Sequence, residues 1–355
     1  MLRKEGVSAL VLEREADVAA SWRRRYDSLH LHTVRSLSSL PGMRLPRTLG
    51  RFVSRDAFVE YLERYAAAHR IAVEPGTRVT RIDRAEAGLH VRTDAGDVDA
   101  ATVVVATGHQ HTPALPDWPG RDGYTGRLLH SNDYRNAAPF AGMRVLVAGT
   151  GNSGADIAVE LAGAGAGQVW VAMRRPPQII PRQRFGVPAQ LLGVALRHAP
   201  AAAADPLVRV ARRALVGDLR SLGLPAPSEG LLAQNRRTGA VPLLDVGFVA
   251  ALRAGRFRLV AAVQSFDAAA VRLADGTTVT PDAVIACTGF ATGLGGLVGH
   301  LGVLDPLGRP LVHAAAGRPS VPGLWFTGFR TPISGALREL RTEAPGLARA
   351  IRAGP

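Results

Sequence analysis

At 355 residues the chain is long enough for about two domains with substantial cores, and 47% hydrophobic with 20% charged residues excludes a disordered or collagen-like polypeptide. A single cysteine, Cys287, excludes an internal disulfide, a cysteine-cluster zinc site and a CxxC redox pair. The net charge of +14 rests on arginine, with Lys4 the one lysine, and the arginines are scattered without aromatic interleaving, so a solvated surface is expected rather than a nucleic-acid interface.

The chain opens without a charged-then-apolar leader, and its longest apolar stretch, residues 188–204, is interrupted by Arg197, His198 and Pro200. A cytoplasmic protein with no integral membrane segment is the expectation. Residues 2–6 read as the tail of a helix and residues 7–12 as a strand that ends on Glu13. An acid in that place is where the adenosine ribose of FAD or NAD is held. Counting back about 20 residues to the expected glycine motif leads past Met1. The expectation is therefore a nucleotide-binding half whose first strand and GxGxxG loop precede Met1, as a gene start set too far downstream would give.

Residues 56–69 carry the spacing of an amphipathic helix, with Phe58, Val59, Leu62 and Tyr65 on one face. Short antiparallel strands are expected at 79–82, 90–93 and 97–100. A buried β-branched run at 101–106 then ends in Thr107-Gly108, and a near copy at 278–286 ends in Cys287-Thr288-Gly289. Between them lies the clearest signal. Residues 144–148 read as a buried strand, Gly149-Thr-Gly-Asn-Ser-Gly154 follows at once, residues 155–162 read as a helix, and 168–173 as a second strand. That βαβ context makes GxGxxG a dinucleotide-binding turn. Gly149 permits the tight turn, Gly151 lets the backbone approach a diphosphate, Gly154 lets helix and strand pack closely, and the helix N-terminus faces the phosphates. The second strand runs out into Arg174 and Arg175 with no acid, which favours the 2′-phosphate of NADP over NAD. Irregular breaks are expected at 199–206 and 223–228 around a helical insert at about 183–240. A strand at 324–326 leads into Thr327-Gly328, and 335–352 forms a C-terminal helix.

These residues resemble the class B flavin monooxygenases. Tyr124-Thr-Gly126-Arg-Leu-Leu-His130-Ser-Asn-Asp-Tyr134 is similar to their F-x-G-x-x-x-H-x-x-x-(F/Y) fingerprint, departing from it in having tyrosine for phenylalanine at Tyr124. Tyr134-Arg135 stands where Baeyer–Villiger relatives have Trp-Pro or Trp-Asp. Ser21-Trp22-Arg23 with the run from Tyr26 to His32 resembles the flavin-cradling segment. Thr238-Gly-Ala-Val-Pro-Leu-Leu-Asp245-Val-Gly247 resembles the YUCCA-type branch.

The resemblance implies an α/β fold of two Rossmann-like domains, FAD-binding at 1–140 and 289–355 and NADPH-binding at 141–288. It implies FAD and NADPH as cofactors, O2 and a small organic molecule as substrates, and oxygen transfer through a C4a-(hydro)peroxyflavin with no metal. By position, Glu13 would hold the FAD ribose, and Ser21 and Trp22 would flank the flavin. Ala106, Thr107, Gly108, Thr288 and Gly289 would lie against the cofactors. Gly151, Asn152, Ser153 and Gly154 would take the NADPH diphosphate, and Gly328 and Gly335 would close over the flavin. His32 stands where YUCCA-type members have histidine and mammalian-type members asparagine, so it is the candidate group beside the isoalloxazine. His130 reads as a domain-junction residue. A Baeyer–Villiger relative and an impaired NADP-binding remnant stay open as alternatives, whereas a disulfide reductase lacks its second cysteine.

Overall fold

The computed structural model describes residues 1–314 and 316–354. Nine strands organise the site: β1 (Leu10–Leu12), β2 (Ala72–Glu74), β3 (Val103–Val105), β4 (Arg127–His130), β5 (Arg144–Ala148), β6 (Gln168–Met173), β7 (Arg258–Ala261), β8 (Ala283–Ala286) and β9 (Leu324–Phe326). The principal helices are α1 (Arg55–Ala68), α2 (Asn152–Gly163), α3 (Ala189–Leu196), α4 (Ala201–Val216), α5 (Leu231–Thr238) and α6 (Ala336–Ala353).

The largest sheet has five parallel strands in the order β7-β6-β5-β8-β4. Val145, Leu146 and Val147 at its centre are fully buried, as are Val284 and Ile285 beside them. Such uninterrupted apolar runs are what a parallel sheet covered on both faces requires. From β5 the chain goes to β6 on one side, while β8 lies on the other. The carboxyl ends of β5 and β8 therefore form a topological switch point, where open α/β sheets bind ligands.

The N-terminal half is built from smaller pieces. β1 pairs in parallel with β2, and β3 in parallel with β9. Each of β1 and β3 has a strand partner on one edge only among the described residues, and Leu10 and Val11 are 54% and 43% exposed. Strands Val79–Ala85, Gly88–Thr93 and Val98–Ala100 form the expected antiparallel meander. α1 starts at Ser54, whose hydroxyl accepts from the Ala57 N–H, and buries Phe58, Val59 and Tyr61.

The structure departs from the sequence expectations in several places. The strand at 7–12 shortens to three residues. The run 278–286 splits into Thr278–Val279 and β8, because Pro281 removes a donor and restricts Thr280 before it. The break expected at 199–206 is instead the start of α4, with Pro206 inside the helix. Four alanines supply helix propensity there, and the buried Asp205 carboxylate accepts from the Leu232 and Ala233 N–H groups at 2.8 and 3.1 Å, so packing on α5 outweighs the lost bond. β4 hydrogen-bonds to β8 as the outermost strand of the large sheet. Thr112–Pro113 pairs antiparallel with Phe290–Ala291.

Candidate functional site

The glycine turn occupies the switch point. Gly149 has φ +127°, and a Cβ on it would stand 2.4 Å from the Cys287 carbonyl oxygen. A Cβ on Gly154 would stand 2.1 Å from the Gly149 carbonyl oxygen and 3.2 Å from Cys287 Cβ. By contrast, a Cβ on Gly151 would meet nothing within 4 Å. Two glycines thus allow close backbone packing, and the third leaves open space at the start of α2. α2 begins at Asn152, earlier than the spacing suggested, so Asn152, Ser153 and Gly154 lie in its first turn, where N–H groups lack intrahelical acceptors. The Asn152 side chain is engaged elsewhere: it donates to the Pro242 carbonyl at 3.0 Å and accepts from the Leu244 N–H at 2.8 Å. Arg174 and Arg175 emerge, exposed, from the end of the neighbouring β6.

Across the switch point, Cys287 is partly buried, and desolvation pushes its thiol up to about 12, with nearby Asp156 adding and a Ser131 hydrogen bond opposing. The thiol therefore stays protonated over the ordinary pH range. Native protein is expected to resist iodoacetamide at mildly alkaline pH and to react after denaturation. Stoichiometric labelling of the folded protein would contradict this. Thr288 donates to the Ala114 carbonyl at 2.6 Å. His130 Nε2 donates to the Gly289 carbonyl at 2.9 Å, and its Nδ1 accepts from the Asn132 N–H at 3.1 Å. Both nitrogens are committed to backbone, which makes His130 a junction brace.

In the N-terminal half, Glu13 leaves β1 with its N–H on the Glu74 carbonyl and its Oε1 accepting from the Glu15 N–H, both at 3.0 Å. Ser21 and Trp22 lie on the short helix Ala20–Arg23, and Trp22 packs edge-on to Phe58 at 4.7 Å. Ala106 and Thr107 are exposed at the end of β3. Gly108 and Gly328, both with positive φ, approach one another where β3 and β9 end.

His32 stands where the halves meet. Its Nε2 is 3.3 Å from Asp156 Oδ2 on α2, and the Tyr26 hydroxyl donates to the same oxygen at 2.7 Å. Both ring nitrogens of His32 are buried without a well-aligned hydrogen bond. Beside it opens a cavity of about 200 Å³, whose polar lining includes His32, His109 and Gln190. Its walls are chiefly apolar, among them Leu192 and Leu196 of α3, Leu231 and Leu232 of α5, and Pro332 and Ile333 before α6. Gln190, 4% exposed, ties three segments together: its Oε1 accepts from the Val34 N–H at 2.7 Å and its Nε2 donates to the Ser334 carbonyl at 2.8 Å. Gly335, at the start of α6, has φ +97°, and a Cβ there would strike Gln190 and Thr33.

Sequence reasoning missed Asp156 and Gln190, and gave Tyr26 only as the start of the flavin-cradling run. Asp156 had a local signal, since it follows the glycine motif by two residues. Gln190 had none, because its partners lie 156 and 144 residues away. Among the described residues no cluster of three or more His, Cys, Asp or Glu could hold a metal, and no helix is long and apolar enough to cross a membrane.

A parallel sheet with a glycine turn at its switch point, joined to a second half with an acid ending a strand, defines a two-nucleotide flavoprotein fold. Residues 1–184 match the family described as pyridine nucleotide-disulphide oxidoreductase. The chain is 35% identical over 294 residues to indole-3-pyruvate monooxygenase YUCCA1 of Oryza sativa subsp. japonica, covering 81% of this chain and 72% of that one. It is 30% identical over 344 residues to the probable indole-3-pyruvate monooxygenase YUCCA4 of Arabidopsis thaliana, covering 94% and 82%. The solved flavin-containing monooxygenase from Stenotrophomonas maltophilia superposes with a TM-score of 0.73 at 26% identity, covering 99% of this chain and 93% of that one. The chain belongs to the class B flavin monooxygenase family, in its YUCCA-like branch. It is an FAD- and NADPH-dependent oxidoreductase, and with one cysteine it has no dithiol to serve a disulfide.

The residues present fit both cofactors on structural grounds: open space at Gly151 over unpaired helix N–H groups suits a diphosphate, and the orphaned nitrogens of His32 face the region where the halves meet.

Proposed function

We propose that this chain oxygenates a small substrate with an apolar, ring-sized body and one polar end, such as a 2-oxo acid bearing an aromatic group. The cavity beside His32 carries this reading. An apolar cavity of about 150 Å³ admits benzene, so about 200 Å³ suits one or two fused rings. Bound FAD, reduced by NADPH, supplies the oxygen chemistry. The protein's share falls to its own residues: Gly149, Gly151 and Gly154 with the first turn of α2 seat the NADPH diphosphate, Glu13 holds the FAD ribose, and the apolar walls exclude water. His32, set against the Asp156 carboxylate that Tyr26 also anchors, lines the cavity as its candidate polar anchor. We place the boundary between the FAD and NADPH units at the paired segments Thr112–Pro113 and Phe290–Ala291, with a helical insert near 183–240 roofing the cavity, and the enzyme in the cytoplasm.

The test is product analysis after turnover with NADPH and O2 on indole-3-pyruvate, a simple thioether and a cyclic ketone. A one-carbon-shorter acid with CO2 supports the 2-oxo acid reading. Oxygenation of the thioether or ketone alone would overturn it.

Arg174 is the first candidate for the NADPH 2′-phosphate and Arg175 the second. Charge-assisted hydrogen bonds contribute about 1.5–3 kcal/mol, so Arg174→Gln should weaken NADPH binding roughly 10- to 100-fold and leave NADH binding nearly unchanged. Equal losses for both nucleotides, measured by titration, would remove Arg174 from that role.

A further inference from the structure

The segment from residue 183 to 216 turns an apolar surface to solvent. Its hairpin, Gln183–Arg184 paired with Val187–Pro188, carries Phe185 at the tip, 86% exposed and at φ +48°. A bulky side chain rarely sits at positive φ, and strain of that kind persists where a site uses it. Val187 beside it, and Leu191 and Leu192 at the start of α3, are exposed as well. α4 then carries apolar residues on two faces. Ala204, Val208 and Val216 pack inward. Ala203, Leu207, Val210 and Ala214 recur at i, i+4, i+7 and i+11 on the opposite face and lie in solvent, Leu207 and Val210 each 71% exposed. Leu192 of α3 and Val208 of α4 line the same cavity, so the two helices stand side by side.

Charge is segregated on this stretch of chain. Between Glu160 and Asp218 there are eight arginines and one acid, Asp205, which is buried. Arg197 pairs with Glu339, and none of the other seven forms an ion pair among the described residues. Arg184 lies 4.8 Å over the Phe185 ring. Arg209 and Arg213, one turn apart, flank the exposed stripe of α4. Exposed apolar side chains rimmed by cations are the pattern of a helix lying in the plane of a membrane interface. A second copy fits poorly, because a symmetric contact would set the arginine row against its own image. The complement of this face is a negatively charged surface that also takes in apolar side chains, which an acidic lipid bilayer provides.

We propose that the face built from the 183–188 hairpin, α3 and α4 docks peripherally on an anionic phospholipid bilayer. Phe185, Leu207 and Val210 enter the acyl boundary, and Arg184, Arg209 and Arg213 meet the lipid phosphates. The proposal goes beyond the oxygenase reading and does not depend on it. The full chain is mixed with phosphatidylcholine vesicles, with and without phosphatidylglycerol, and bound protein is separated by flotation. Three variants alter exposed side chains alone: Phe185→Ser, the pair Leu207→Gln and Val210→Gln, and the pair Arg209→Gln and Arg213→Gln. Unchanged far-UV circular dichroism confirms their fold.

The wild type is expected to float with vesicles containing phosphatidylglycerol, to bind phosphatidylcholine alone at least tenfold more weakly, and to be released as salt rises. Each apolar variant should weaken binding about tenfold, and the arginine pair roughly 10- to 30-fold at low salt. No binding to the anionic vesicles at low salt would overturn the proposal. So would binding that both apolar variants leave unchanged, the result of general attraction to a basic protein. Sedimentation velocity without lipid decides the rival occupant: a dimer that Leu207→Gln with Val210→Gln dissolves would assign the face to a second copy and overturn the proposal. A wild type that stays monomeric and floats supports it.

Discussion

Gly154→Val is expected to abolish measurable NADPH binding and to destabilise the protein by about 1–3 kcal/mol or more, the cost of forcing bulk into packed space. The reason is steric: even a methyl group at this position would stand 2.1 Å from the Gly149 carbonyl oxygen and 3.2 Å from Cys287 Cβ. Neither neighbour can withdraw, since the Gly149 N–H is bonded to the Ala172 carbonyl and the Cys287 N–H to the Ala148 carbonyl. Relief requires α2 to lift away from β5, and that opens the turn whose N–H groups await a diphosphate. Gly151→Ala supplies the contrast. A Cβ there meets nothing within 4 Å, so stability should hold within about 0.5 kcal/mol. NADPH should nevertheless bind at least tenfold more weakly, because the methyl group occupies the ligand's approach. Urea unfolding and nucleotide titration of both variants check the pair. Equal NADPH affinity in wild type and Gly151→Ala would place the diphosphate elsewhere.

The second large effect is expected at His32. His32→Ala should leave folding and NADPH-driven flavin reduction within a few-fold of wild type, while product formation falls about 100-fold, the scale on which a positioned hydrogen-bonding group acts in a dry site. NADPH consumption should then outrun product. Asp156→Asn should show a milder loss of product per NADPH, since it keeps the shape but removes the charge 3.3 Å from His32 Nε2. That ratio, set beside urea unfolding, separates orientation of His32 from simple support of the helix, because Asp156 also anchors the Tyr26 hydroxyl. Tyr26→Phe is the structural control. An unchanged ratio of product to NADPH in His32→Ala would remove His32 from the site.

The glycine turn and its flanking strands were legible from the sequence because each of their constraints is local. A strand of five residues, four of them buried, a tight turn and a helix follow one another without a break, and β5 and β6 fall on the expected residues. The meander and α1 were legible for the same reason. What the sequence hid is long-range. Gln190 joins Val34 to Ser334, and Asp156 joins α2 to Tyr26 and His32, through contacts with no sequence periodicity. Pro206 misled because its local cost was visible and the buried Asp205 cap on α5 was not. Arg14, Arg24, Arg25 and Arg78 line one polar cleft, so scattered charge in one dimension becomes concentrated charge in three.

The central claim is that NADPH and O2 meet on one flavin held between these two halves. The most direct measurement is anaerobic mixing of the FAD-loaded chain with NADPH, followed by admission of isotopically labelled O2 with substrate. Loss of flavin absorbance is expected on mixing, then its return with oxygen and a product carrying one labelled oxygen atom. Flavin that NADPH leaves oxidised, or a product whose new oxygen comes from water, would contradict it.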